Sequence, residues 1–148
     1  MGKKGARLFP KENNSLEFYR NIVELEVLES RRQLHQKVND LIQLATNSNT
    51  STEEIQRHLS LILKGFGALL SSQLLRSLNR DDPQERQSIV WLLILLNDSQ
   101  TIAPLQHISF DKRIPRSIRL SASLALAGMG ATAETNENYR RNPLYAIS

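Results

Sequence analysis

The sequence predicts an all-α chain: a long N-terminal helix followed by a short α-solenoid of helical hairpins. Three observations predict it. Apolar residues recur at three-, four- and seven-residue steps through most of the chain. Helix caps and breakers punctuate it at short intervals, as at Ser51, Asp82-Pro83 and Gly128. One segment also overlays a later one: Arg86-x-x-Ile89-Val90-Trp91-Leu92-Leu93 matches Arg119-x-x-Ala122-Ser123-Leu124-Ala125-Leu126 at a spacing of 33. A period of this size, built from helix pairs, marks stacked hairpins that complete one another's core.

Along the chain, residues 1–14 lack apolar periodicity and read as a flexible basic arm, with Lys3, Lys4, Arg7 and Lys11 against Glu12. Ser15 is the expected N-cap of a helix over 16–46, free of Gly and Pro. Leu16, Val23, Val27, Leu34, Val38, Leu41 and Ala45 share one stripe of it. Phe18, Ile22 and Leu25 form a second stripe on nearly the opposite side, a candidate self-association surface. A break near Ser30–Gln33 would instead fold this segment into a hairpin.

Asn47–Thr52 is a polar loop, and Ser51 or Thr52 with Glu53 and Glu54 opens the next helix. Ile55, Leu59, Ile62 and Phe66 line that helix up to Gly65 and Gly67. Leu70, Leu74 and Leu78 mark a third helix, with Leu69 and Leu75 beside them. Asp82-Pro83-Gln84-Glu85 is a start signal: Asp caps, Pro suits the first turn, and Glu can reach back to the cap. The helix it opens contains the apolar run Ile89–Leu96 and is expected to be central. Ile102, Leu105 and Ile108 mark a short helix. Pro115 starts the last one, with Ile118, Ala122, Ala125 and Leu126 facing inward. A single helical domain over 15–130 is expected, with hairpins over 52–130 and a flexible tail over 131–148.

The repeat carries a resemblance. Leu74-Leu75-x-x-Leu78, Asp81-Asp82-Pro83-x-Glu85-Arg86 and Ile102-Ala103-Pro104-Leu105 are followed, in the next copy, by Asp111, Ile118-Arg119, Ala122, Ala125-Leu126-Ala127 and Gly128. Residues 54–131 thereby resemble the HEAT repeat family, above all the short bacterial kind also found in phycobilisome lyase-like proteins. The resemblance implies that Asp82, Arg86, Asp111 and Arg119 form a structural polar ladder between repeats. It also implies a protein partner held by the second helices, about 54–64, 84–96 and 115–127.

Composition excludes several functions. The absence of Cys rules out disulfides, thiolate zinc sites and thiol catalysis. The longest apolar run, eight residues, is far short of the roughly 20 that span a bilayer. A cytoplasmic protein with no membrane partner is expected. His35, His58 and His107 stand at no metal-binding spacing, no Gly-x-Ser-x-Gly turn occurs, and the Gly pairs end helices rather than cradle phosphate. No catalytic residue, metal or cofactor is predicted. The net charge of +4 is uneven, and Lys112, Arg113 and Arg116, with Arg119 beside them, form the densest basic cluster. That cluster is a candidate polyanion site, so nucleic-acid binding through it and the basic arm is the alternative to a protein-interaction scaffold. A third alternative, an accessory subunit of an enzyme such as a lyase, rests on the resemblance alone. Asn142-Pro143-Leu144-Tyr145 matches an Asn-Pro-x-Tyr peptide motif and is read as chance.

Overall fold

The computed structural model describes the backbone of residues 3–131 and the side chains of residues 15–131. The expected tail from 132 onward, with its Asn142–Tyr145 motif, lies outside the described residues, as do the side chains of the basic arm. The described chain is all helix and turn, without a strand: α1 Lys3–Thr46, α2 Thr52–Phe66, α3 Leu69–Ser77, α4 Pro83–Leu96, a one-turn 3-10 segment Ser99–Thr101, α5 Ile102–Phe110 and α6 Arg116–Gly128.

The start of α1 is a correction. The helix begins at Lys3 instead of Leu16, so Ser15 lies inside it and caps nothing. Once a helix is nucleated, each further residue adds a hydrogen bond at the cost of its own two dihedrals only. A residue with capping chemistry therefore does not stop it. The segment over 16–46 is one unbroken helix, with no hairpin at Ser30–Gln33.

Contacts divide the chain into two compact units, between Gln36 and Lys37, within α1. The described side chains of the first unit, from Ser15 to Gln36, are nearly all exposed, with Leu34 the buried exception and Ile22 half-buried.

The second unit holds the core. Its buried apolar side chains include Val38, Leu41 and Ile42 from the end of α1, and Ile55 and Leu59 from α2. Leu70 and Leu74 come from α3, Leu78 follows it, and Ile89, Leu92 and Leu93 come from α4. Leu105 comes from α5, and Ala122, Ala125 and Leu126 from α6. α2 packs on α3 and α4, α3 on α4, α4 on α6, and α5 on α6. α4 therefore lies between α2 and α6, which accounts for a helix apolar nearly all round.

The caps follow from local sequence. Ser51 Oγ accepts from Glu54 N–H at 3.2 Å, and Glu53 and Glu54 sit at the positive end of α2. Gly67 ends α2 with φ of 59° while its N–H reaches Leu63 O at 2.8 Å. Gly130 ends α6 with φ of 79°, and the bonds Ala131 N–H to Leu126 O and Gly130 N–H to Ala127 O close a Schellman motif. Asp82 Oδ1 caps α4 by accepting from Gln84 N–H at 2.9 Å, with Pro83 in the first turn. The expected reach of Glu85 back to the cap is replaced by other partners. Its carboxylate accepts from Gln43 Nε2 at 3.1 Å and lies 3.5 Å from Arg80.

Asp98 serves two elements. Its Oδ1 caps the 3-10 segment through Gln100 N–H at 3.0 Å, and its Oδ2 accepts from Ser71 Oγ of α3 at 2.6 Å.

Element bounds repeat at the spacing seen in sequence. α3 spans 69–77 and α5 spans 102–110, an offset of 33 at both ends; the N-caps Asp82 and Pro115 are offset by 33 as well. The two arginines of the overlay repeat a bond: Arg86 Nη1 donates to Asp81 O at 3.0 Å, and Arg119 Nε donates to Ile114 O at 3.0 Å, each five residues back.

Candidate functional site

The second unit carries an open groove of about 510 Å³ beside α4. Gln84, Gln87, Ser88, Val90, Trp91 and Ile94 of α4 form most of its wall, with Ala45 and Thr46 of α1 and Leu124 of α6. Trp91 is the only tryptophan of the chain, and it is 41% exposed; Leu124 is 62% exposed. These two side chains occupy equivalent positions of the two overlaid segments, 33 residues apart, on α4 and α6. Leu120, one turn before Leu124, is exposed as well.

The polar edge of the groove is fixed by a hydroxyl relay. Thr46 Oγ1 donates to Ile42 O at 2.7 Å and stands 2.8 Å from Ser88 Oγ. Since the Thr46 proton is committed to a carbonyl, Ser88 donates in the second bond. Nearby, Gln43 holds Glu85, and the Arg80 guanidinium donates to Asn39 Oδ1. The end of α1 is thereby tied to α4 through polar side chains on several turns.

No hydrogen bond or ion pair joins the four residues of the expected polar ladder to one another among the described residues. Asp82 is occupied by the backbone of its own cap, and Arg86 donates to Arg80 O at 2.7 Å and to Asp81 O. Asp111 pairs with Arg113, and Arg119 goes to Ile114 O. The physical reason is that each hairpin turn carries carbonyls without a helical partner, and the long arginine fork reaches them. Both arginines therefore clamp the turn before their own helix.

The basic cluster is partly neutralised. Arg113 Nε and Nη2 donate to the two Asp111 oxygens at 3.0 Å each, and Arg113 N–H also reaches Oδ1 at 3.0 Å. Lys112 and Arg116 are exposed. The side-chain hydrogen bond from Arg113, then its backbone N–H, hold the Asp111 carboxyl below its ordinary value of 3.8, at about 2. Arg113 is shifted upward by the same pairing.

A carboxyl whose pKa falls on folding stabilises the fold above its ordinary pKa, and that contribution fades as pH drops from about 3.8 toward about 2. Replacing Arg113 by Ala is expected to move the Asp111 titration midpoint, followed by carboxyl-carbon NMR, upward toward 3.8. An unchanged midpoint would show that the pairing does not hold the charge.

Of the three histidines, His107 lies 4.0 Å from Asp111 Oδ2, and no cluster of three His, Asp or Glu side chains able to hold a metal occurs among the described residues. Among these residues, no helix is long and apolar enough to cross a membrane. The groove was not singled out from sequence, since Trp91 sits within the run Ile89–Leu96 and reads there as core. The signal was present nevertheless: a helix packed on two sides has no inward place for every side chain of an eight-residue apolar run.

The described residues form helices and turns without a strand, with the bounds of α3 and the start of α4 recurring 33 residues on, and Trp91 of α4 and Leu124 of α6 border one groove. No family model matches the chain, and neither a curated protein nor a solved structure matches it.

Proposed function

We propose that the chain is a non-catalytic protein-interaction module of HEAT-repeat type, whose second helices α4 and α6 bind a protein segment in the groove around Trp91. One observation carries this reading: Trp91 and Leu124, equivalent positions of successive repeats, are both exposed and both border the same groove. A partly exposed tryptophan beside a leucine, rimmed by Gln84, Gln87 and Ser88, has the apolar centre and polar edge of a protein-recognition surface. An amphipathic helix or extended peptide with one or two large apolar side chains fits this chemistry.

The test is a selection from a displayed random-peptide library against the full chain, counter-selected on the Leu124→Glu variant. Peptides carrying spaced large apolar residues are expected, with binding weakened at least ~10-fold by Leu124→Glu or Trp91→Ala, since a buried interface anchor contributes roughly 2 kcal/mol or more. Peptides that bind both variants as well as the parent would place recognition elsewhere. An oligonucleotide bound at low salt, and lost in the Lys112→Glu, Arg116→Glu variant, would favour the nucleic-acid reading instead.

A further inference from the structure

We infer that the groove around Trp91 takes its partner as an extended, uncharged peptide segment whose main chain is held by the side-chain amides of Gln84 and Gln87; this rests on the reading of the groove as a partner site. Gln84, Gln87 and Trp91 stand at positions i, i+3 and i+7 of α4, so they share one face of it, and all three are exposed along the groove. The other polar side chains at this end of α4 are engaged. Glu85 accepts from Gln43 and lies 3.5 Å from Arg80, Arg86 donates to two turn carbonyls, and Ser88 bonds to Thr46. Gln84 is bonded to Asp82 through its main-chain N–H, but the side-chain amides of Gln84 and Gln87 take part in no hydrogen bond among the described residues.

Charge narrows what those amides meet. None of the nine residues that line the groove is charged, in a chain of which 23% is. The pocket between the end of α1 and α2, by contrast, carries Lys37, Asp40 and His58 at its edge. A carboxylate or ammonium laid in the Trp91 groove loses water and gains no opposite charge. A neutral amide offers two donors and an acceptor, the complement of a peptide unit with its one N–H and one C=O.

Spacing decides between a helical and an extended occupant. A helical segment closes its main-chain groups on itself, and leaves none for Gln84 or Gln87. An extended segment leaves them open, and those facing one side recur every second residue, roughly 6.8 Å apart. Helix positions i and i+3 are about 5–6 Å apart at Cβ, and rotation about the glutamine side chains covers the difference. Alternate side chains of the segment then enter the groove, where Trp91, Ile94 and Leu124 supply the apolar contact.

The probe is a synthetic copy of a peptide selected from the library on the full chain, with its affinity read by titration calorimetry. Gln84→Met and Gln87→Met together keep the length of both side chains and remove both amides. Affinity is expected to fall about 10-fold or more, the effect of two hydrogen bonds of ordinary net strength. A scan that methylates one main-chain nitrogen of the peptide at a time is expected to weaken binding at every second position. Binding is expected to add no helical signal in far-UV circular dichroism. Undiminished affinity in the double Met variant, a methylation scan without alternation, or a gain of helical signal would overturn the inference. The groove remains the partner site in that event if Trp91→Ala and Leu124→Glu still weaken the same peptide. A peptide indifferent to those two substitutions would overturn the groove reading, and this one with it.

Discussion

Leu92→Ala is expected to lower the unfolding free energy by about 2–5 kcal/mol, the range for removing a covered leucine and leaving its cavity. Leu92 is 0% exposed on α4, and α4 packs against α2 on one side and α6 on the other. A side chain in that position has no solvent edge into which its neighbours can relax. The loss is read by urea denaturation as a lower midpoint at unchanged slope, which marks a change in stability rather than in the surface exposed. Leu120→Ala is the control, since Leu120 is 52% exposed and a surface truncation of this kind stays within about 0.5 kcal/mol. Equal losses at the two positions would contradict the placement of α4 at the centre of the unit.

The second large effect is one of sign. A Cβ added at Gly128 overlaps Ile94 Cδ1 and lies 2.6 Å from its Cγ1, so the Ile94 side chain of α4 must shift to admit a methyl group on α6. Isoleucine in a helix has essentially one χ1 choice, so Ile94 cannot simply turn away. Overpacking of this kind costs about 1–3 kcal/mol, against a helix-propensity gain of up to ~1 kcal/mol for Ala over Gly. Gly128→Ala is therefore expected to destabilise the parent. In an Ile94→Ala background the obstruction is gone and only the propensity gain remains, so the same substitution is expected to stabilise. The double-mutant cycle measures the difference as a coupling of at least about 1 kcal/mol. A Gly128→Ala effect of the same sign and size in both backgrounds would show that the glycine is not there for the crossing.

These two cases show what the sequence made legible. Capping chemistry acts within a few residues, so Ser51, Asp82-Pro83, Gly67 and Gly130 mark element ends that the structure keeps. The spacing of 33 reappears as the offset between α3 and α5 and between the starts of α4 and α6. Within α6, the inward set Ile118, Ala122, Ala125 and Leu126 follows from periodicity alone, and all four are buried.

What periodicity leaves open is whether a face is covered. Leu16, Val23 and Val27 share a stripe with Leu34, Val38 and Leu41, yet the first three are exposed and the last three are buried. Leu69, read beside Leu70 and Leu74, is 56% exposed for the same reason. The extension of α1 to Lys3 was hidden because a capping residue permits a helix start without forcing one. The arginine clamps were hidden because their acceptors are main-chain carbonyls, which carry no side-chain signature. The groove was hidden because Trp91 and Leu124 look like core residues until the neighbouring helices are in place.

The most direct test of the account is the fluorescence of Trp91 during titration with a peptide selected on the full chain. The single tryptophan makes the signal unambiguous, and its side chain is 41% exposed before binding. Occupancy of the groove is predicted to shift the emission to shorter wavelength and to protect it from acrylamide, with a midpoint equal to the peptide's dissociation constant. The Leu124→Glu variant is predicted to lose that response at the same peptide concentrations. Saturating binding that leaves the emission and its quenching unchanged would contradict the assignment of this groove as the partner site.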